Sequence, residues 1–239
     1  MQNDNRQRFN NNFGVRDTLN LSQIERVQSV GPFFRNEWNM LDKLDLVMGG
    51  RWDWLHYQVK DAFKTDGNQS GSRTVAQASG SIGLVYHLTE QQQIYTHVAS
   101  VFETPTTTEL LNNPAGRGGF NPRLNAQTSL SNELGIRGNT AGFQYDTAVF
   151  FIRTWDEITP FELPSSPGRA FFRNAGQSRR LGVETRLATP EWKGLRGEVS
   201  YTYSNFEFEK YVVNDTNLEG NRFPGIPTHR WEGLVRYAH

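Results

Sequence analysis

The chain has 239 residues, and its 25 basic and 25 acidic residues cancel, which argues against the basic footprint of a nucleic-acid-binding protein. It has no cysteine, which excludes a disulfide framework, a cysteine zinc site and a cysteine nucleophile. No apolar run approaches the ~20 residues of a membrane helix. The longest, Ala148-Val149-Phe150-Phe151-Ile152, is strand-sized, so helical membrane proteins are excluded. Transmembrane β-barrels are not, because their alternation gives a weaker hydropathy signal.

In chain order, the opening Met1-Gln2-Asn3-Asp4-Asn5-Arg6-Gln7-Arg8 is polar and lacks the apolar core of a secretory signal. From there the dominant period is two. Leu44, Leu46, Met48, Trp52 and Trp54 share one face of a strand, and Asp45, Arg51 and Asp53 share the other. Phe143, Tyr145, Thr147, Val149 and Phe151 repeat the pattern, as do Leu181, Val183 and Leu187 opposite Glu184 and Arg186. Leu195, Val199, Tyr201 and Tyr203 lie opposite Arg196, Glu198 and Ser200, and Trp231, Val235 and Tyr237 lie opposite Arg230, Glu232 and Arg236. The alternation predicts about nine strands, roughly over 24–40, 44–60, 77–88, 93–102, 128–138, 142–155, 168–187, 195–209 and 227–239. The chain ends inside the last of these, as a fragment would.

The connections alternate in length. Short turns at 41–43, 89–92, 138–142 and 189–194 are separated by long polar segments at 61–75, 103–127, 156–168 and 210–225. Every second connection being long puts the long loops at one end of an antiparallel meander. Outer-membrane barrels have short turns at one end and long loops at the other. Several predicted strands also match the ~9–11 residues that cross a tilted bilayer path. The expected fold is all-β: an antiparallel meander of long strands forming part of a transmembrane barrel.

The polar face carries charges at even spacing: Arg35/Glu37, Arg51/Asp53, Glu133/Arg137, Glu184/Arg186 and Glu232/Arg236. Residues two apart lie ~6.8 Å apart along a strand, within reach of long side chains, whereas a spacing of four calls for partners on neighbouring strands. Two readings stand: a self-compensating lumen wall, or an ordinary solvated sheet face. Aromatics near strand ends (Phe33, Phe34, Trp38, Trp52, Trp54, Tyr57, Tyr201 and Tyr203) fit interfacial girdles or the core of a sandwich.

Phe33-Phe34-Arg35-Asn36-Glu37-Trp38, followed after a turn by Leu46-Val47-Met48-Gly49-Gly50-Arg51-Trp52-Asp53, resembles a barrel hairpin of TonB-dependent outer-membrane receptors. Gly83-Leu84-Val85-Tyr86, Ile94-Tyr95 and Phe102-Glu103-Thr104-Pro105-Thr106 resemble the next hairpin and its loop entry. Asn132-Glu133-Leu134-Gly135-Ile136-Arg137-Gly138, Arg173-Asn174-Ala175-Gly176, Arg180-Leu181-Gly182-Val183-Glu184, Tyr201-Thr202-Tyr203 and the stretch Asn221 to His229 continue the series in order over 27–237. The resemblance implies an outer-membrane importer of a scarce ligand, most often a ferric siderophore, with outer-membrane lipid, TonB and a plug domain as partners. The family's plug, TonB box and signal peptide have no counterpart here, and about nine strands fall short of the ~22 around a plugged lumen. The expectation is therefore a middle-to-late slice of the barrel covering 1–239, without plug or last strands, in which 1–23 are an extracellular loop or strand remnant. The alternatives are a soluble β-sandwich binding module, perhaps for carbohydrate, and a plugless structural or adhesin barrel.

No enzyme is expected. His56, His87, His97, His229 and His239 form no metal-ligand pair at helical spacing, and there is no H-E-x-x-H. No G-x-S-x-G elbow surrounds Ser70, Ser72 or Ser81. Gly116-Arg117-Gly118-Gly119 is not followed by a helix signal. No catalytic residue, metal set or cofactor is expected. The candidate ligand site lies in 103–127, where Thr106-Thr107-Thr108-Glu109 reads as a capping box opening a short helical turn through Leu110 and Leu111. Glu103, Arg117 and Phe120, with Phe161, Arg169, Phe172 and Arg173 from the next long segment, supply aromatic rings and guanidinium groups suited to an anionic metal chelate. The lumen-facing set is Arg35, Glu37, Arg51, Asp53, Glu133, Arg137, Glu184, Arg186, Glu232 and Arg236.

Overall fold

A computed structural model describes residues 1–116, 119–213 and 216–238. Its strands form one 12-stranded antiparallel sheet. They are β1 (Gln2–Asn12), β2 (Val15–Val30), β3 (Phe33–Leu41), β4 (Leu44–Asp61), β5 (Gly71–Thr89), β6 (Gln92–Glu103), β7 (Gln127–Thr140), β8 (Phe143–Leu163), β9 (Ser166–Ala188), β10 (Leu195–Val213), β11 (Thr216–Asn217) and β12 (His229–Tyr237), with helix α1 (Thr107–Leu111) between β6 and β7. The strands pair in chain order, except that β2 and β3 both pair with β4 and β12 pairs with β10. The sheet is open, with β1 and β12 each paired on one side. A soluble sandwich needs two facing sheets, and the described strands form one.

β2 and β3 are one predicted strand interrupted at Pro32. Both pair with β4. Pro32 has no N–H to donate, but its carbonyl still accepts from Trp52 N at 3.0 Å.

Three departures from the expected strands have physical causes. β1 is missed because QNDNRQRFNNN has no apolar alternation. It is held by its ladder to β2, from Gln2↔Val27 to Asn12↔Val15. Residues 1–23 are therefore mostly strand. The stretch 156–168, expected as a long loop, is a hairpin in which β8 continues to Leu163 and β9 begins at Ser166. Pro160, Pro164, Pro167 and Gly168 read as breakers, yet Pro160 sits in the ladder opposite Phe172. Likewise β10 continues to Val213. These extensions carry no alternation because they run past the level at which one face is apolar.

The register divides the sheet into two chemically distinct faces. One hydrogen-bonded row runs Leu46, Leu84, Thr96, Leu134, Val149, Val183, Tyr203 and His229. The row one residue away runs Val47, Gly83, His97, Glu133, Phe150, Gly182 and Ser204. On β8 the first face carries Phe143, Tyr145, Thr147, Val149 and Phe151, and its first charge is Arg153. Those roughly ten residues rise ~34 Å along the strand, about 26 Å when tilted ~40°. That matches the ~25 Å apolar band of an outer-membrane barrel. Ile82, Leu84, Leu134, Val149, Leu181, Leu187, Val199 and Val235 are exposed on this face. It is bordered by aromatic groups, among them Trp38 and Tyr86 toward the short-turn end. At the other end Tyr201 and Trp231 pack with ring centroids 4.3 Å apart.

The second face carries the charges. It also stacks rings over glycines: a Cβ at Gly135 would overlap the Tyr95 ring, and one at Gly182 the Phe150 ring. The tight turns suit their end of the sheet. Ala141 and Gly142 both have positive φ (51° and 85°), as a two-residue hairpin turn matching strand twist requires, and Asn139 Oδ1 accepts from Gly142 N at 3.0 Å.

Candidate ligand-binding site

The long-loop end holds most of the small buried core. The loop between β6 and β7 folds back onto the charged face, where Leu110 and Leu124 (both 0% exposed) pack with Tyr57. Val27, Leu55, Val75, Phe120, Ile158 and Phe172 complete the cluster. The loop is organised by α1. Thr106 is its N-cap, Thr106 Oγ1 accepts from Glu109 N at 3.3 Å, and Glu109 Oε2 accepts from Thr106 N at 2.8 Å. The expected capping box and turn are present.

Polar bonds then pin the loop to its surroundings. Tyr57 donates to Thr104 Oγ1 at 3.0 Å. Arg73 donates to the Asn121 carbonyl and, at 3.1 Å, to Asn125 Oδ1. Asn125 and Asn174 exchange two hydrogen bonds, at 2.7 and 2.9 Å. Removing the cap in a Thr106→Ala variant should loosen α1 by about 1 kcal/mol. Amide exchange at Glu109 and Leu110 should rise roughly fivefold, and unchanged exchange would show that the cap does not hold the loop.

The expected site residues separate into distinct roles. Phe120 meets Tyr57 edge-on, with centroids 6.4 Å apart, and Phe172 packs in the same cluster, so both half-buried rings help to hold the loop. On the β8–β9 hairpin Arg173 lies over Phe161 and Arg169 over Phe171, each 5.0 Å from the ring centroid. Arg173 Nη2 donates to the Val212 carbonyl at 2.7 Å, and Arg169 Nε to Asn112 Oδ1 at 3.2 Å. Both guanidinium groups therefore bind neighbouring elements. Glu103 accepts from Gln127 at 2.7 Å and faces a cavity. Arg117 lies outside the described residues.

That cavity lies between α1, the β8–β9 hairpin and the segment before β12, with Glu103, Glu109, Glu157, Phe208, Tyr211 and Phe223 among its lining residues. Phe208 stacks on Tyr211 (4.5 Å, 24°) and meets Phe223 at 4.3 Å. Glu157 pairs with Arg180 at 2.8 Å. Apart from Glu103, these residues are absent from the expected set. Glu109 reads in the sequence as a cap alone. The available signal was that Phe206 and Phe208 share a strand face with Ser200 and Thr202, the polar side of β10.

Lower on the sheet, the register puts Arg35, Glu37, Arg51, Asp53, Glu133, Arg137, Glu184, Arg186, Glu232 and Arg236 on the charged face. Only Arg51 and Asp53 pair as spaced, at 2.7 Å. Arg186 instead reaches across to Glu198 at 2.7 Å, and Glu232 pairs with Arg230. Among the described residues no ion pair joins Arg35 to Glu37, Glu133 to Arg137, Glu184 to Arg186 or Glu232 to Arg236. Arg186 stands opposite Ser200 and Glu198 opposite Ala188, so this pair is a cross-strand diagonal of ~7–8 Å, a span that long side chains close.

The sequence model described as "TonB dependent receptor-like, beta-barrel" matches residues 1–239. The chain belongs to the TonB-dependent receptor β-barrel family. TonB-dependent receptors are β-barrels of the outer membrane, and the family consists of transporters and receptors rather than enzymes. The pesticin receptor of Yersinia enterocolitica is 26% identical over 197 residues, covering 80% of this chain and 28% of that protein. The pesticin receptor of Yersinia pestis is 27% identical over the same length and coverage. Among solved structures, the ferric yersiniabactin uptake receptor FyuA from Yersinia pestis is 21% identical with a TM-score of 0.66, over 91% of this chain and 33% of that one. The ferric citrate transporter FecA, unliganded, is 17% identical with a TM-score of 0.72, over 92% and 32%. These structures show the shared fold. The chain spans about a third of the length of the solved receptors it matches and 28% of the curated ones.

Proposed function

We propose that this chain is part of the barrel wall of a TonB-energised outer-membrane importer whose ligand is a metal chelate of the ferric-siderophore kind. The observation that carries the reading is the division of the sheet by register. One face is uncharged over about the height of a bilayer's hydrocarbon core, and the other is dense with charge. Lipid cannot hydrogen-bond a backbone, so a wall with every strand paired and an apolar outer face is what the membrane requires. In this reading the charged face lines the lumen and meets the plug domain. The ten charged residues named above are hydrated there or meet plug groups. The loop end of that face meets the ligand, with the Phe208–Tyr211–Phe223 wall and Glu103 nearest to it. Arg169, Arg173, Phe120, Phe161 and Phe172 shape the site by fixing the loop and hairpin. The names of FyuA and FecA, one a ferric yersiniabactin receptor and the other a ferric citrate transporter, support a ferric chelate as the ligand class.

The test is uptake of radiolabelled iron supplied as ferric hydroxamate, catecholate or carboxylate chelates. It compares iron-starved cells with the full-length receptor against cells lacking it. At least one chelate should lose tenfold or more of its uptake without the receptor, and the same uptake should stop when the proton gradient is collapsed. Uptake of all three that ignores both the receptor and the gradient would overturn the reading.

A further inference from the structure

We infer that the cavity between α1, the β8–β9 hairpin and the segment before β12 takes a cationic group of the ligand, an ammonium or guanidinium carried on or beside a ring. The inference rests on the reading above that this end of the charged face meets the ligand, and it adds the sign of the charge recognised.

Two features of different physical origin agree on that sign. The first is the aromatic wall. Phe208 is within stacking distance of both Tyr211 and Phe223, and ring faces attract cations through their quadrupole. The protein already uses this wall in that way: Arg180 lies 5.4 Å from the Phe223 centroid while pairing with Glu157. The second is the set of carboxylates with unused acceptors. Glu103 engages Gln127 through Oε2, and Glu109 engages Thr106 N through Oε2, leaving the other oxygen of each without a partner among the described residues. Glu157 Oε1 takes Arg180 and Ser178, whereas its Oε2 is buried without a hydrogen bond. Among the described residues, none that lines the cavity is basic. Arg180, behind the wall, offsets one of the three carboxylates. An anionic chelate would meet uncompensated negative charge here, while an ammonium would gain both the ring faces and the free oxygens. Of the guanidinium groups that a sequence reading would assign to an anion, Arg169 and Arg173 bind Asn112 and Val212, and Arg117 lies outside the described residues.

The probe is benzylammonium, with benzyl alcohol and benzoate as neutral and anionic partners of the same ring. Binding is measured by ligand-observed NMR titration of the full-length receptor in detergent. Glu103→Gln and Glu109→Gln are combined as the variant. Glutamine at 103 can still accept from Gln127, and glutamine at 109 keeps the capping box, so the variant removes charge and keeps the fold. Benzylammonium should bind at least tenfold more tightly than benzoate. The double variant should weaken it about fivefold or more while leaving benzyl alcohol unmoved. Equal or tighter binding of benzoate, absent binding of benzylammonium, or indifference of benzylammonium to the double variant would each overturn the inference. None of the probes carries a metal, so such a failure leaves chelate import standing. Failure of the uptake experiment with this order of affinities intact would sink the import reading alone.

Discussion

Arginine in place of Val149 should destabilise the folded barrel in its membrane by about 2–4 kcal/mol, the penalty for a basic side chain near the midplane of a barrel's lipid face. That is roughly 30-fold or more in the folding equilibrium. Val149 is 46% exposed and stands between Leu134 and Val183 in the register, so a guanidinium there has no partner on the apolar face. Val199, between Leu187 and Gly233, should behave the same way. The informative comparison is Ser200→Arg. It is one residue away but faces Arg186 and Glu232 on the charged side, where water and countercharges are at hand, and it should cost well under 1 kcal/mol. Denaturant unfolding of the full-length receptor in lipid vesicles measures all three. Equal effects at 199 and 200 would mean that the register does not separate lipid from lumen.

The same one-residue logic explains how much the sequence disclosed. Strand faces were legible wherever one side must be apolar: Leu44 to Trp54, Phe143 to Phe151 and Leu195 to Tyr203 alternate because the membrane imposes it. Where both faces are wet, nothing imposes it, and β1 and the β8–β9 extension carry no readable alternation. Charge partners were less legible. A pair such as Glu184/Arg186 looks complete along one strand, but the partner chosen, Glu198, comes from the next strand and depends on a register the pattern alone does not fix. The site shows the same limit. The capping box at Thr106–Glu109 is local and readable. The convergence of Glu103 on β6, Glu157 on β8 and Phe208 on β10 is set by three separate hairpins. Composition offers Phe120 and Phe172 as ligand contacts, but it does not disclose that both pack against the Tyr57 and Leu110 cluster under the loop.

Leu110→Ala tests whether that anchoring is what presents the site. Leu110 has no exposed surface, and truncating a buried leucine costs about 2–5 kcal/mol through lost transfer energy and a residual cavity. A helix of five residues has no stability of its own, so the loss falls on the docking of the loop between β6 and β7 and not on the strand ladder. The amide of Asn121, which donates to the Leu110 carbonyl at 2.7 Å, should exchange roughly 100-fold faster, while unfolding of the barrel in lipid is unchanged. Benzylammonium binding should fall with it, since the loop carries Glu109 into the cavity. Leu134→Ala is the control. Leu134 is 58% exposed on the apolar face, where lipid can fill the space, so its truncation leaves no void and should move neither readout. Normal exchange at Asn121 in the Leu110 variant would show that the loop is held by its polar bonds to Arg73 and Asn174 alone, and that the apolar cluster is not what positions Glu109.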